Sequence, residues 1–123
     1  MRTPIAYALA WPDRFDSGVP PLDFFEINSL DFEQPDLERF PCLGLAEKAA
    51  SEGGTAPAIL NATNEVAVKA FLDDELDFMG IPRLVEAVLG DSIINKADSL
   101  DVVLEDDQLA REKAAALIKK GKI

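Results

Sequence analysis

Three polar residues stand out by their spacing. Asn61, Asn64 and Glu65 fall at i, i+3 and i+4 of an otherwise apolar stretch, so on a helix they make one polar stripe. Two amides and a carboxylate aligned this way can hydrogen-bond a neighbouring domain or a ligand, or satisfy one another as a seam within a bundle. Nothing beside them supplies a nucleophile or a base, which favours the structural or interdomain role. The chain has no histidine at all. That removes the usual general base, the commonest metal ligand and any Ser–His or Cys–His pair. The residues themselves therefore assign no catalytic group.

Two acidic stretches invite a metal. With Glu75 as position 1 of a calcium loop, Asp77, Gly80 and Glu86 fall at positions 3, 6 and 12. Position 1 should be Asp, however, position 5 is Met79, and Pro82 sits inside the loop, so a solvated turn between helices is the better reading. In Glu105-Asp106-Asp107 three consecutive helical positions point in different directions and cannot converge on one ion. Their expected role is favourable charge near a helix N-terminus. No metal ligand is assigned. Cys42, the single cysteine, follows Pro41 in an apolar first turn, where a buried, inert thiol is expected. No neighbouring cation argues for a lowered pKa. Gly53-Gly54 lies between two helices and reads as punctuation, not as a phosphate-cradling loop.

The elements that must position these residues are mostly helical. A Thr3 N-cap with Pro4 in the first turn predicts a helix through residues 1–12, stopped by Trp11-Pro12. An Asp-, Gly-, Ser- and Pro-rich linker follows. Residues 22–33 then read as a strand whose alternation switches face at Phe24-Phe25, as in a bulged or edge strand. Such a strand needs a partner for its backbone groups. Four amphipathic helices follow. The first starts near Pro41 and carries Leu45, Ala46, Ala49 and Ala50 up to Gly53-Gly54. The second is capped by Thr55 and buries Ile59, Leu60, Thr63, Val66, Ala67, Ala70 and Phe71. The third, with Pro82 in its first turn, buries Leu84, Val85, Val88 and Leu89 and ends at Gly90. The fourth follows Asp98-Ser99 and buries Val103, Leu109, Ala110, Ala114, Leu117 and Ile118, with a break expected near Asp106. The fold class is thus mainly α: a small C-terminal helical bundle preceded by a linker arm with one edge strand.

Composition limits what such a chain can do. Its 123 residues suit one ordinary domain, or a small domain plus an arm, and 48% hydrophobic residues suit a folded chain. The net charge of −11 leaves no basic face for nucleic acid. The one basic cluster, Lys119-Lys120-Gly121-Lys122, is placed to complement a helix dipole at the chain end. One cysteine cannot form an internal disulfide. The apolar run after Arg2 is too short for a signal peptide, and no segment is long and apolar enough to span a membrane.

The order of these motifs carries a resemblance. Met1-Arg2-Thr3-Pro4-Ile5-Ala6 with Ala10-Trp11-Pro12 and Arg14, then Gly18 and Leu22-Asp23-Phe24, Pro41-Cys42-Leu43 with Leu45-Ala46, Leu60-Asn61-Ala62-Thr63-Asn64-Glu65 with Ala70-Phe71-Leu72, and Ala110-Arg111 resemble the C-terminal third of the 1-deoxy-D-xylulose 5-phosphate reductoisomerase family. Thr63 stands where that family more usually has alanine. The resemblance divides the chain into a closing helix of the catalytic domain (1–13), a linker with a strand near 22–33 (14–40) and the C-terminal helical domain (41–123). It implies a parent that uses NADPH and a divalent metal, magnesium or manganese. The parent rearranges 1-deoxy-D-xylulose 5-phosphate and reduces the product to 2-C-methyl-D-erythritol 4-phosphate, an early step of non-mevalonate isoprenoid synthesis that fosmidomycin inhibits.

It also implies a V-shaped homodimer in the bacterial cytoplasm. The nucleotide-binding domain, metal ligands, phosphate-binding residues and lid would lie upstream of Met1. Only Met1 maps to a position near the substrate and the nicotinamide. The chain alone is then expected to be inactive and to buttress the active-site domain of the rest of the reductoisomerase. Its strand would self-associate with another copy. The competing reading is an independent acidic helical interaction module that binds a basic partner.

Overall fold

The computed structural model describes residues 1–121 and 123. Lys122, the last cation of the terminal basic cluster, lies outside the described residues. Among the described residues six helices occur in chain order: α1 (Arg2–Ala10), α2 (Phe24–Ile27), α3 (Pro41–Glu52), α4 (Ala56–Leu72), α5 (Gly80–Gly90) and α6 (Leu100–Lys119). They fall into two compact units, Met1–Gln34 and Pro35–Ile123. The fold is mainly helical, as expected.

In the first unit α1 begins at Arg2, with Met1 at the N-cap and no side-chain cap. The expected capping by Thr3 is therefore corrected: the helix starts ahead of it. Tyr7 and Trp11, one turn apart, meet edge to face with ring centroids 5.6 Å apart. The expected strand at 22–33 is also corrected, since no strand occurs among the described residues. Instead Asp23 Oδ1 accepts from the Phe25 and Glu26 amides at 2.8 and 3.4 Å and caps the single turn of α2. Asn28, at φ 63°, closes that turn by donating its amide to the Phe24 carbonyl. A strand is held by its neighbour. Without one, local capping by Asp23 decides the conformation.

The second unit is built around α4, which packs against α3, α5 and α6. Ile59, Ala62 and Ala67 of α4 meet Ile81, Leu84 and Val88 of α5 and Ala110 and Ala114 of α6 in one core. Each fully buried Leu or Val contributes about 1.5–3 kcal/mol. The alanines act differently: with no bulk beyond Cβ at 62, 67, 110 and 114, α4 and α6 can pack close together. The periodicity reading holds for Ile59, Thr63, Ala67, Ala70, Leu84, Val85, Val88, Ala110 and Ala114, all buried. It fails at Ala46, Ala50, Phe71 and Leu109, which are exposed. Phe71 lies at the end of α4 and pairs with Phe78 in a T-shaped contact at 5.8 Å, at the edge of the core. The expected break near Asp106 does not occur. Residues 100–119 contain no Gly or Pro to interrupt α6, and Ser99 Oγ caps its start by accepting from Val102 N–H at 3.3 Å.

The α3–α4 junction and the loop before α6 are clasped together. Thr55, fully buried, donates its amide to the Asn95 carbonyl at 3.0 Å, and its hydroxyl oxygen accepts from the Asn95 amide at 3.0 Å. Thr55 thus precedes α4 as expected, but its hydroxyl serves the loop and not the helix.

Candidate functional site

Asn61 and Glu65, one turn apart on α4, are brought together by the helix. The Asn61 side-chain amide donates to Glu65 Oε1 at 3.3 Å. Across the α4–α6 interface, Arg111 Nη2 donates to Glu65 Oε2 at 2.7 Å. The same guanidinium reaches Asp107 one turn back on α6, through Nε at 2.7 Å and Nη2 at 3.2 Å. Arg111 thus holds two carboxylates from two helices in a fork geometry suited to a guanidinium. Its hydrogen bond and charge hold the Glu65 carboxyl below the usual glutamate range. Asp107 and Glu65 in turn hold the Arg111 guanidinium more firmly protonated. Sequence reasoning missed Arg111 as the centre of this set, although the i, i+4 pair Asp107–Arg111 was a visible signal.

Asn64 does not join that ladder. It lines a separate apolar groove of about 220 Å³ with Arg39, Phe40, Cys42, Val68, Phe78 and Met79 among its walls. Cys42 is exposed, which corrects the expectation of a buried thiol. Its helix position presents it to the groove, where apolar neighbours desolvate the sulfur and push the thiol pKa up. Asn64 is half-buried, and Asn61 and Glu65 are exposed. Met1 is an exposed apolar side chain at the head of α1.

Carboxylates of both acidic stretches have protein partners. Asp73 pairs with Lys69 at 2.6 Å. Asp77 accepts from Arg83 at 2.8 Å and from the Gly80 amide at the start of α5. Asp106, expected to act as favourable charge near a helix N-terminus, is buried, and both its oxygens accept from the Asn95 side-chain amide at 3.0 and 3.2 Å. Each of these carboxylates already has a protein donor. No group of three His, Cys, Asp or Glu among the described residues has the geometry to hold a metal ion. Also among the described residues, no helix is long and apolar enough to cross a membrane.

What these features define is a helical domain with a polar inter-helix ladder, an apolar groove and an arm whose apolar side chains lack cover. Residues 1–113 match the family model described as DXP reductoisomerase C-terminal domain. The 1-deoxy-D-xylulose 5-phosphate reductoisomerase of Nitrosococcus oceani is 57% identical over 120 residues, covering 98% of this chain and 30% of that protein. That of Methylococcus capsulatus is 56% identical over 118 residues, with 96% and 30% covered. Among solved structures, the Zymomonas mobilis reductoisomerase in complex with NADPH has a TM-score of 0.83 at 45% identity, over 94% of this chain and 31% of that one. A DOX-P reductoisomerase in complex with NADPH, fosmidomycin and magnesium has a TM-score of 0.88 at 42% identity, over 98% and 32%. The chain belongs to the 1-deoxy-D-xylulose 5-phosphate reductoisomerase family, in which it corresponds to the C-terminal domain. It spans about 30% of the length of the curated relatives it matches.

Proposed function

We propose that this chain is the supporting C-terminal part of a reductoisomerase that converts 1-deoxy-D-xylulose 5-phosphate to 2-C-methyl-D-erythritol 4-phosphate with NADPH and a divalent metal. The observation that carries this reading is the first unit. No residue of Met1–Gln34 is buried, although it displays Leu9, Trp11, Phe24, Phe25, Leu30 and Phe32, each more than two-thirds exposed. An apolar surface on that scale marks a site that another protein surface covers. In the reductoisomerase reading, the active-site domain is that surface.

Within this reading residues 1–13 close the catalytic domain, 14–40 form the linker and 41–123 the helical domain. Met1 lies near substrate and nicotinamide. Asn61, Asn64 and Glu65 line the seam toward the active-site domain while Arg111 holds Glu65 in place. Segment 22–33 takes up strand form when a sheet is offered to it, and another copy of the chain is its partner when none is. The setting is the bacterial cytoplasm. No group of three His, Cys, Asp or Glu among the described residues could hold a metal ion, and in this reading the metal ligands and the cofactor pocket lie in the rest of the enzyme.

Co-expression of this chain with the part of the Nitrosococcus oceani relative outside the covered 30% tests the reading. The expected result is a complex that co-purifies through size exclusion and weakens when Trp11 and Phe24 are both changed to Ser. Separate elution of two folded components would contradict it.

A further inference from the structure

The groove beside Asn64 has a chemistry unlike the rest of this acidic chain. Its walls are apolar, with Phe40, Val68, Phe78 and Met79 prominent, and it carries one cation, Arg39, at its edge. The Arg39 guanidinium stacks over the Phe40 ring at 5.3 Å, and it forms no ion pair with any carboxylate among the described residues. A complementary ligand would bring an aromatic side chain for the cavity and a carboxylate for the guanidinium.

The arm of this chain presents both. Phe25 is 96% exposed, and the exposed Glu26 follows it. The Asp23 cap holds the two on one helical turn, so little conformational freedom would be lost on docking. We propose that the groove receives the Asp23–Ile27 arm of a second copy of this chain, with Phe25 in the cavity and Glu26 on Arg39. Donor and acceptor occupy different parts of one sequence, so two chains can exchange arms reciprocally and close as a two-fold dimer. The contact is small, which places it among weak, reversible associations. This takes up the self-association proposed for the arm and names its acceptor. It concerns the chain by itself and does not depend on the reductoisomerase activity.

Sedimentation equilibrium over a wide concentration range tests it. The expected mass rises from 13.4 kDa toward twice that value, and Phe25→Asp abolishes the rise while circular dichroism stays unchanged. Glu26→Arg and Arg39→Glu each weaken association at least about fivefold by setting like charges together. An equimolar mixture of those two variants regains it, because each arm then meets an opposite charge on the other chain. Failure of the mixture to recover, or a mass of 13.4 kDa at every concentration, would overturn the proposal. Association that persists in Phe25→Asp would assign the contact to strand pairing elsewhere in 22–33 and would remove the groove from it.

Discussion

Thr55 and Asn95, forty residues apart, exchange two hydrogen bonds of 3.0 Å each, backbone to backbone and backbone to hydroxyl. The pair ties the start of α4 to the loop that leads into α6. Thr55 is fully buried, so removing its hydroxyl leaves the Asn95 amide without its acceptor inside the protein. Thr55→Val should cost about 1–3 kcal/mol and Thr55→Ser clearly less, measured by urea denaturation followed by circular dichroism. A larger loss for Thr55→Ser than for Thr55→Val would show that the methyl group matters and the hydroxyl does not.

The same loop presses on Gly54. A Cβ there would stand 2.3 Å from the Asn95 carbonyl oxygen, and the backbone sits at φ +55°. Gly54→Ala therefore meets both a clash with rigid backbone and a left-handed penalty of about 1–2 kcal/mol, and should destabilise by more than that penalty alone. Gly44 predicts the opposite sign. It lies within α3, and an added Cβ would touch the Leu37 methyls at 3.8 and 3.9 Å, ordinary contact distances. Gly44→Ala should stabilise by about 0.5–1 kcal/mol. Paired melting curves of the two variants test both signs together.

Asn95 also serves Asp106, a buried carboxylate whose two oxygens accept from its side-chain amide. Asn95→Ala should cost about 1–3 kcal/mol, because it leaves a buried carboxyl group without this donor. Its effect should not add to that of Thr55→Val, since both substitutions loosen one loop. A double-mutant cycle with strictly additive losses would contradict the clasp.

Arg111 lowers the Glu65 pKa from its ordinary 4.5. The depressed value means that the folded state holds Glu65 charged more firmly than the unfolded chain does. This contribution is complete above about pH 4.5 and fades as pH falls through the lower, folded value. Glu65→Gln should therefore lower stability modestly at pH 7, where the contribution of this exposed pair is fully present, and the difference from the unaltered chain should vanish as pH falls below about 4.5. Denaturation midpoints between pH 3 and pH 7 check the sign (about pH 3 bounds the measurement from below).

Cys42 combines an exposed residue with a desolvated sulfur. Alkylation by iodoacetamide should proceed without denaturant, yet its rate should climb with pH to a midpoint above the ordinary thiol value of 9.0. A midpoint below that value would mean that the groove is wetter, or more positively charged, than its walls imply.

What was legible in the sequence followed from local physics. The starts and stops at Pro41, Gly53, Thr55 and Ser99 and the period of Ile59, Thr63, Ala67 and Ala70 set three of the helices and most of the core. Long-range pairing was not legible. Asp106 reads as one of three charges near a helix start, and its contact with Asn95, eleven residues away, was not legible. Arg111 has a local partner visible at Asp107, but its bond to Glu65 depends on how α4 meets α6. Segment 22–33 has strand-like alternation, and what decides its state is whether a neighbouring strand exists. Without one, the Asp23 cap prevails. The Asn61–Asn64–Glu65 stripe was visible as spacing, while its division between a ladder and a groove was not.

The central claim is that this chain braces an active site whose chemistry resides elsewhere in the enzyme. NADPH consumption in the presence of 1-deoxy-D-xylulose 5-phosphate and magnesium tests it most directly. The purified chain alone should show none, and co-expression with the part of a relative that it does not cover should produce turnover. NADPH oxidation by the chain alone, or full turnover by the complementary part without it, would contradict the claim.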